Sequence, residues 1–389
     1  MAWAELKLGE LGDAQWRSSC RRGRFTRMLT TRTPGRQPAK PRSPSLTSRP
    51  CVLVASNRGD WGFSLVELLV VLGILALLLA LIFPAILYAR QAYWRAKCAG
   101  QMSQLALACQ LHHHDHHILP SGGGVCCRGR SYMLNGSVVN NPPTGGVIPN
   151  GGTPTLAPDQ EWGWAYQILP YLELSQLHQL RQDDQIRMTY VPVYFCPARR
   201  QPGPSVNMYA GLDYVGNGGT LATFPLALGG NYKPPYNDFD ASGPFVRIGP
   251  SRSYWSQKRS VSLDNGIPDG TSNTLLLGEK RYQLSQLNQN PSYDDWGYVD
   301  GWDRDSIGRI HPDDPRWQPA QDSRDEEPQT MVSQGGPGGI QFGSSHTGSF
   351  NAAFVDGSVR RIRYSVDRLL FVRACVRDDG QSFSLRELE

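Results

Sequence analysis

The sequence predicts an α+β protein: a long N-terminal helix, half membrane span and half amphipathic, packed on a mainly antiparallel β-sheet head. Three observations predict it. An unbroken apolar run extends from Leu68 to Leu87. Helical spacing of small and apolar residues continues past it to about His114. Beyond Pro120, short apolar runs alternate with glycine- and proline-rich turn signals. The chain divides accordingly into a leader (1–62), a helix (63–118, with its span at about 65–87) and a head (119–389).

The leader is rich in Pro, Ser, Thr and Arg and has no sustained periodicity, which predicts disorder. It carries 12 Lys and Arg against 4 Asp and Glu, a charge of +8, so the whole-chain charge of +5 leaves −3 for the rest. The basic balance belongs to the leader and gives no support to nucleic-acid binding. Positive charge before a span favours a cytoplasmic N-terminus, which puts the head outside the cytoplasm.

The run from Leu68 to Leu87 meets the requirement of about 20 apolar residues for a spanning helix. Pro84 lies late in it and removes one backbone bond. From Tyr88 onward Ala92, Ala96, Ala99, Met102, Ala106 and Cys109 recur three and four apart, with Arg90, Arg95, Lys97, Gln101 and Gln104 as the polar remainder. That is an amphipathic helix continuous with the span, weakened mildly at Gly100 and stopped by Pro120 and Gly122-Gly123-Gly124. Its second half needs a partner surface, and a sheet in the head is the natural one.

In the head, residues 136–158 read as a loop and Leu174 to Leu180 as a short helix. Thr189 to Phe195, Tyr209 to Val215 and Thr274 to Leu277 read as strands. Residues 284–340 are polar, acidic in places and poorly periodic, which predicts an insertion or mobile loop. Phe350 to Val355 and Ser358 to Ile362 read as a hairpin with a two-residue turn at Asp356-Gly357.

Gly62-Phe63-Ser64-Leu65-Val66-Glu67 precedes the apolar run. A carboxylate at the centre of a membrane helix costs roughly 2.5–3.5 kcal/mol, so an acid inside the edge of a span points to function. Phe63 and Glu67 are four apart and share a helix face. These residues resemble the cleavage and methylation signal of type IV pilins and type II secretion pseudopilins. The resemblance implies a cut between Gly62 and Phe63 by a prepilin peptidase and methylation of the new amine. It also implies that Glu67 pairs with such an amine during filament assembly. The implied partners are that peptidase, other pilin-like subunits, the secretion or pilus machinery and the membrane. The implied location is the inner membrane, single-pass, with a periplasmic head.

Motifs in the head are similar to those of a large bacterial pseudopilin-like family whose head is a domain of unknown function. They are Trp162-Gly163-Trp164 with Ile168 to Glu173, Phe195-Cys196-Pro197, Tyr214-Val215-Gly216-Asn217, Asp269-Gly270-Thr271-Ser272-Asn273-Thr274 with Gly278-Glu279, and His346 followed after nine residues by Asp356-Gly357. Cys98 and Cys196 match positions that are often cysteine there, so the resemblance implies a bridge from helix to head. Pairing among Cys98, Cys109, Cys126, Cys127, Cys196 and Cys375 is not readable from sequence.

Each motif has a structural reading beside its functional one. Asp356-Gly357 supplies a turn, with His346 packed on or bonded to the hairpin; the functional alternative is a hydrolase using His346 and Asp356. Asp269 and Gly270 open an oxygen-rich loop, either compact through bonds to its own backbone or able, with Asp294, Asp295, Asp300, Asp303 and Asp305, to hold calcium. No EF-hand spacing is present. His113 and His117 have the spacing of a metal pair, but positive charge at a helix C-terminus is favourable without metal. Trp162, Trp164, Tyr166 and Tyr171 could stack on a sugar or fill the helix–sheet core. No phosphate loop, dinucleotide fingerprint or nucleophile elbow occurs. The expectation is a structural subunit, with no catalytic, cofactor or metal residues assigned. The alternative is a membrane-anchored module that binds polysaccharide or another surface ligand.

Overall fold

The computed structural model describes residues 64–203, 205–206, 208–225, 231–232, 242–248, 260–331 and 338–389. Helix α1 runs without interruption from Leu65 to His116, through Pro84 and Gly100. Its 52 residues span roughly 78 Å at about 1.5 Å per residue. Its two halves have opposite surroundings. The side chains from Leu65 to Leu87 are exposed, Leu65 at 78% and Phe83 at 68%. Cys98 is the first fully buried residue, followed by Met102, Leu105, Ala106, Ala108, Cys109 and His112.

The partner surface is a seven-stranded sheet. Its strands are β1 (Tyr214–Thr220), β2 (Leu275–Glu279), β3 (Ile307–Ile310), β4 (Thr330–Met331), β5 (Gly339–Ile340), β6 (Ser349–Phe354) and β7 (Val359–Arg363). Their order across the sheet is β4-β5-β3-β1-β2-β6-β7. Four pairings are antiparallel, and the β5–β3 and β3–β1 pairings are parallel. The expected α+β class holds, with a mixed rather than purely antiparallel sheet. Alternation along β6 separates two cores. Ala353 joins Met102, Leu105, Tyr214 and Leu276 on the α1 side. Phe350, Ala352 and Phe354 join Val215, Phe342, Ile362 and Phe371 on the other side, covered by helix α2 (Arg368–Cys375). Asp367 caps α2 by accepting from the Leu370 amide.

Several expectations need correction. Residues 284–340 are no loop insertion: they supply β3, β4 and β5, and β3 is wholly buried. Ile307-Gly308-Arg309-Ile310 hides its strand character because Gly308 makes room for the Phe342 ring. Asp294, Asp300, Asp303 and Asp305 of that segment are interior as well. Asp294 sits between Arg200 (2.9 Å) and Lys280 (3.2 Å), which hold its carboxyl down at about 2 against the opposing effect of burial. Asp305 accepts the Trp296 and Gly297 amides. Thr189 to Phe195 forms no strand but a 3₁₀ turn over Pro192–Tyr194, because proline withholds a ladder donor. The strand expected at Tyr209 begins only at Tyr214. Residues 136–158 carry two short strands, Ser137–Asn140 and Thr153–Pro154, which flank Ser131–Leu134 in a small sheet. The short helix expected at Leu174 to Leu180 forms over Ser175–His178.

The hairpin is present one residue out of the expected frame, and its loop has three residues rather than two. The Phe354 amide donates to Ser358 O (2.8 Å) and the Gly357 amide to Phe354 O (2.9 Å), enclosing Val355, Asp356 and Gly357. Only Gly357 takes positive φ, at 85°. Asp356 instead caps its own turn by accepting the Ser358 amide at 2.9 Å. Gly357→Ala is expected to lower stability by about 1–2 kcal/mol, since an alanine pays the left-handed penalty that glycine escapes. Gly357→Asn should lose less. Chemical denaturation of the two variants beside the parent chain measures both.

Candidate functional site

Four buried side chains from four distant segments converge where α1 enters the head. Their donor atoms, from Cys98, Cys196, Glu279 and His346, all lie within 4.8 Å of one another. Cys98 comes from the first buried turn of α1. Cys196 follows the 3₁₀ turn, and its amide is held by Asp213 Oδ2 at 2.8 Å. Glu279 ends β2, and its Oε2 accepts the Asn351 amide of β6 at 2.7 Å. His346 precedes β6; its amide donates to Ser344 Oγ (3.1 Å) and its carbonyl accepts from the Tyr364 hydroxyl (2.8 Å).

Within the cluster, His346 Nε2 is 3.2 Å from Glu279 Oε1 and 3.9 Å from Cys196 Sγ. The Cys196 and Cys98 sulfurs are 2.6 Å apart. Burial alone would depress the imidazole pKa, but the bonds to Cys196 and Glu279 outweigh it and raise His346 to about 9. The hydrogen bond shared with Cys98 and burial together push the Cys196 thiol far up. His346 is therefore held as a cation facing Glu279, with the Cys196 thiol kept protonated beside it.

The geometry limits the chemistry. Glu279 and Cys196 meet the same imidazole nitrogen, so the ring cannot take a proton at one nitrogen while the acid orients the other, as a triad requires. Two thiolates, a histidine and a carboxylate are a donor set that suits zinc. Tetrahedral Zn–S bonds of about 2.3 Å would, however, place the sulfurs about 3.7 Å apart. The observed 2.6 Å lies nearer a disulfide bond of about 2.05 Å. Both cysteines are free thiols in the structure.

Most other residues singled out in the sequence have structural surroundings. Asp356 lies in the hairpin turn and His346 at the opposite end of β6, so the supposed His346–Asp356 pair is not assembled. Asp269 accepts the Asp379 and Gly380 amides (2.7 and 2.9 Å), and Gly270 turns the chain at φ 97°. Among the described residues the Asp294–Asp305 acids do not converge as a cation site. His112 is buried with Nδ1 against Ile118 O (2.9 Å), and burial lowers its pKa to about 4. Burial also lowers His113, whose Nε2 accepts the Leu263 amide at 2.9 Å. These two histidines seal the helix end as neutral rings rather than as the expected positive charges. Trp162, Trp164 and Tyr166 are core side chains, unavailable to a sugar. Glu67 lies in the first turn of α1, while Gly62, Phe63 and the leader lie outside the described residues. The pairing of Glu279 with His346 escaped sequence reasoning. Its signal was a carboxylate closing the all-apolar run Leu275 to Gly278, where a buried acid needs a partner.

Fold and site together define an α+β head carried on one helix, the first half of which is long and apolar enough to cross a membrane. A model of the family described as protein of unknown function (DUF1559) matches residues 88–369, and the chain belongs to that family. The match begins just after the apolar run, so the Gly62–Glu67 signal is a separate observation. Neither the curated proteins nor the solved structures contain a match.

Two outcomes are expected. Peptide mapping without reductant, on protein from an oxidising compartment, should recover Cys98 joined to Cys196; full alkylation of both in denaturant alone counts against the bond. With both thiols reduced, as in the structure, the raised imidazole also sets a pH slope. Its pKa is above the unfolded value, so its contribution is complete below about pH 6.5 and is lost as pH rises through about 9. The loss is on the order of 3 kcal/mol, and His346→Gln should flatten the stability profile over that window.

Proposed function

We propose that this protein is a pilin-like structural subunit with no catalytic role. It is inserted in the inner membrane by α1, cut after Gly62 by a prepilin peptidase, and assembled through the same helix into a type II secretion pseudopilus or a pilus-like filament. The single observation that carries this reading is the unequal helix. One rigid element is buried from Cys98 onward and exposes a continuous apolar surface from Leu65 to Leu87. Such a surface must be covered by lipid or by like helices. Glu67 in its first turn adds a carboxylate that lipid alone would penalise and that a freed amine at Phe63 would neutralise. The charge of the leader favours a cytoplasmic start and an extracytoplasmic head.

N-terminal sequencing of the protein from membranes should begin at a methylated Phe63. Gly62→Leu should leave the leader attached as a slower-migrating band. Glu67→Ala should be processed nearly as the parent is, yet enter filaments poorly. Unchanged processing of the first variant rejects the cut, and normal incorporation of the second rejects the role of Glu67.

A further inference from the structure

A groove of about 910 Å³ opens between α1 and the β6–β7 hairpin. Its helix wall is Ala92, Ala96 and Ala99, whose small side chains leave the space. Its other wall carries Arg361 and Arg363. Arg361 pairs in register with Asn351, and Arg363 with Ser349. Ser349 Oγ in turn accepts Arg95 of the helix at 2.8 Å, so this face of the hairpin looks toward α1. Arg361 and Arg363 are exposed, and among the described residues neither forms an ion pair. Among the described residues Arg95 bonds neutral oxygens, Ser349 Oγ and Thr347 O (2.7 Å). The acid in the groove is Glu389, 3.8 Å from Arg360. The groove is therefore a slot with an alanine wall on one side and, on the other, the Arg361 and Arg363 guanidinium groups, which no ion pair compensates among the described residues.

Its position says what such a slot would meet. Gln110 Nε2 donates to Val355 O, so the hairpin turn lies at the far end of the helix contact. The open end, with Arg363 and Ser349, lies level with Arg95 at the end nearest the span. Arg95 is eight residues past Leu87, about 12 Å along the axis. The polar layer of a bilayer is roughly 5–8 Å deep on each side, and arginine side chains extend toward it. Exposed Tyr88 and Tyr93 occupy the intervening turns, where aromatic side chains mark a membrane interface.

We propose that this groove binds the headgroup of an anionic phospholipid, with Arg361 and Arg363 on the phosphate and the alanine wall against the polar headgroup beside it. Guanidinium groups take phosphate oxygens in pairs, which suits two neighbouring arginines. The inference rests on the reading that α1 crosses a bilayer. It adds that the head is seated on the membrane surface until the subunit leaves.

The test uses the full chain in neutral detergent, titrated with phosphatidylglycerol or phosphatidylcholine and followed by native mass spectrometry. A one-to-one adduct with phosphatidylglycerol, at least tenfold tighter than with phosphatidylcholine and weakened by salt, is expected. Each arginine neutralised should cost about fivefold, so Arg361→Gln with Arg363→Gln should largely abolish the preference. Ala96→Leu fills the slot without changing charge and should also weaken the adduct, which keeps the test open if the double variant folds poorly. Equal binding of the two lipids, or full retention by both variants, overturns the proposal. Displacement by inorganic phosphate at equal concentration also overturns it, by making the site one for a free anion. Vesicle flotation separates the two readings. A chain that fails to insert rejects the membrane span, whereas an inserted chain indifferent to lipid charge rejects only the groove.

Discussion

The structure depends on the burial of one stripe of α1, from Cys98 to His112, against the seven-stranded sheet. Without that contact the sheet would expose Tyr214, Leu276 and Ala353, and the helix would be a free rod. The contact is apolar at its centre and polar at its edges. Arg95 reaches Ser349 and Thr347, Gln101 accepts the Tyr214 hydroxyl, Gln110 reaches Val355, and His113 holds the Leu263 amide. Helix direction relative to the sheet is therefore set at several points, and a rigid rod projects from the head in one orientation. The Cys98–Cys196–Glu279–His346 cluster sits at the point of exit, where a pull on the rod would first be felt.

Buried charge pairs run through the head beside its apolar packing. Arg199 bridges Asp213 (3.3 Å) and Asp322 (2.8 Å), and Arg200 bridges Asp213 (2.7 Å) and Asp294 (2.9 Å). Lys280 adds a second cation to Asp294. These ties join the turn after Cys196, the start of β1, the end of β2, the acidic segment before β3 and Asp322 beyond it. Buried pairs seldom add much net stability, but removing one partner leaves an expensive unpaired charge. They specify which segments meet. That explains how a polar, weakly periodic stretch ends as the middle of a sheet.

The long helix was legible because its physics is local. Apolar continuity needs only length, and amphipathic spacing needs only the 3.6-residue turn. The stops at Pro120 and the triple glycine were equally local. The short strands were not legible for the opposite reason. Ile307–Ile310 and Gly339–Ile340 alternate glycine with larger residues because Phe342 and Arg309 fill the space across the sheet, a fact about neighbours remote in sequence. At the hairpin, Asp356-Gly357 announced a turn, but the loop length was decided by the Phe354–Ser358 pairing. At the candidate site, Cys196, Glu279 and His346 each stood in a motif, yet nothing in their spacing joined them.

By itself, the sequence determined a membrane-length helix with an acid in its first turn, the amphipathic continuation of that helix, and the α+β character of the chain beyond Pro120. These depend on interactions within a few residues along the chain. The tertiary structure alone decided the mixed strand order, the interior place of the acidic segment, the neutral state of His112 and His113, and the meeting of Cys98 with Cys196, Glu279 and His346. Each of those depends on which groups lose water together, and that is settled only when distant segments pack.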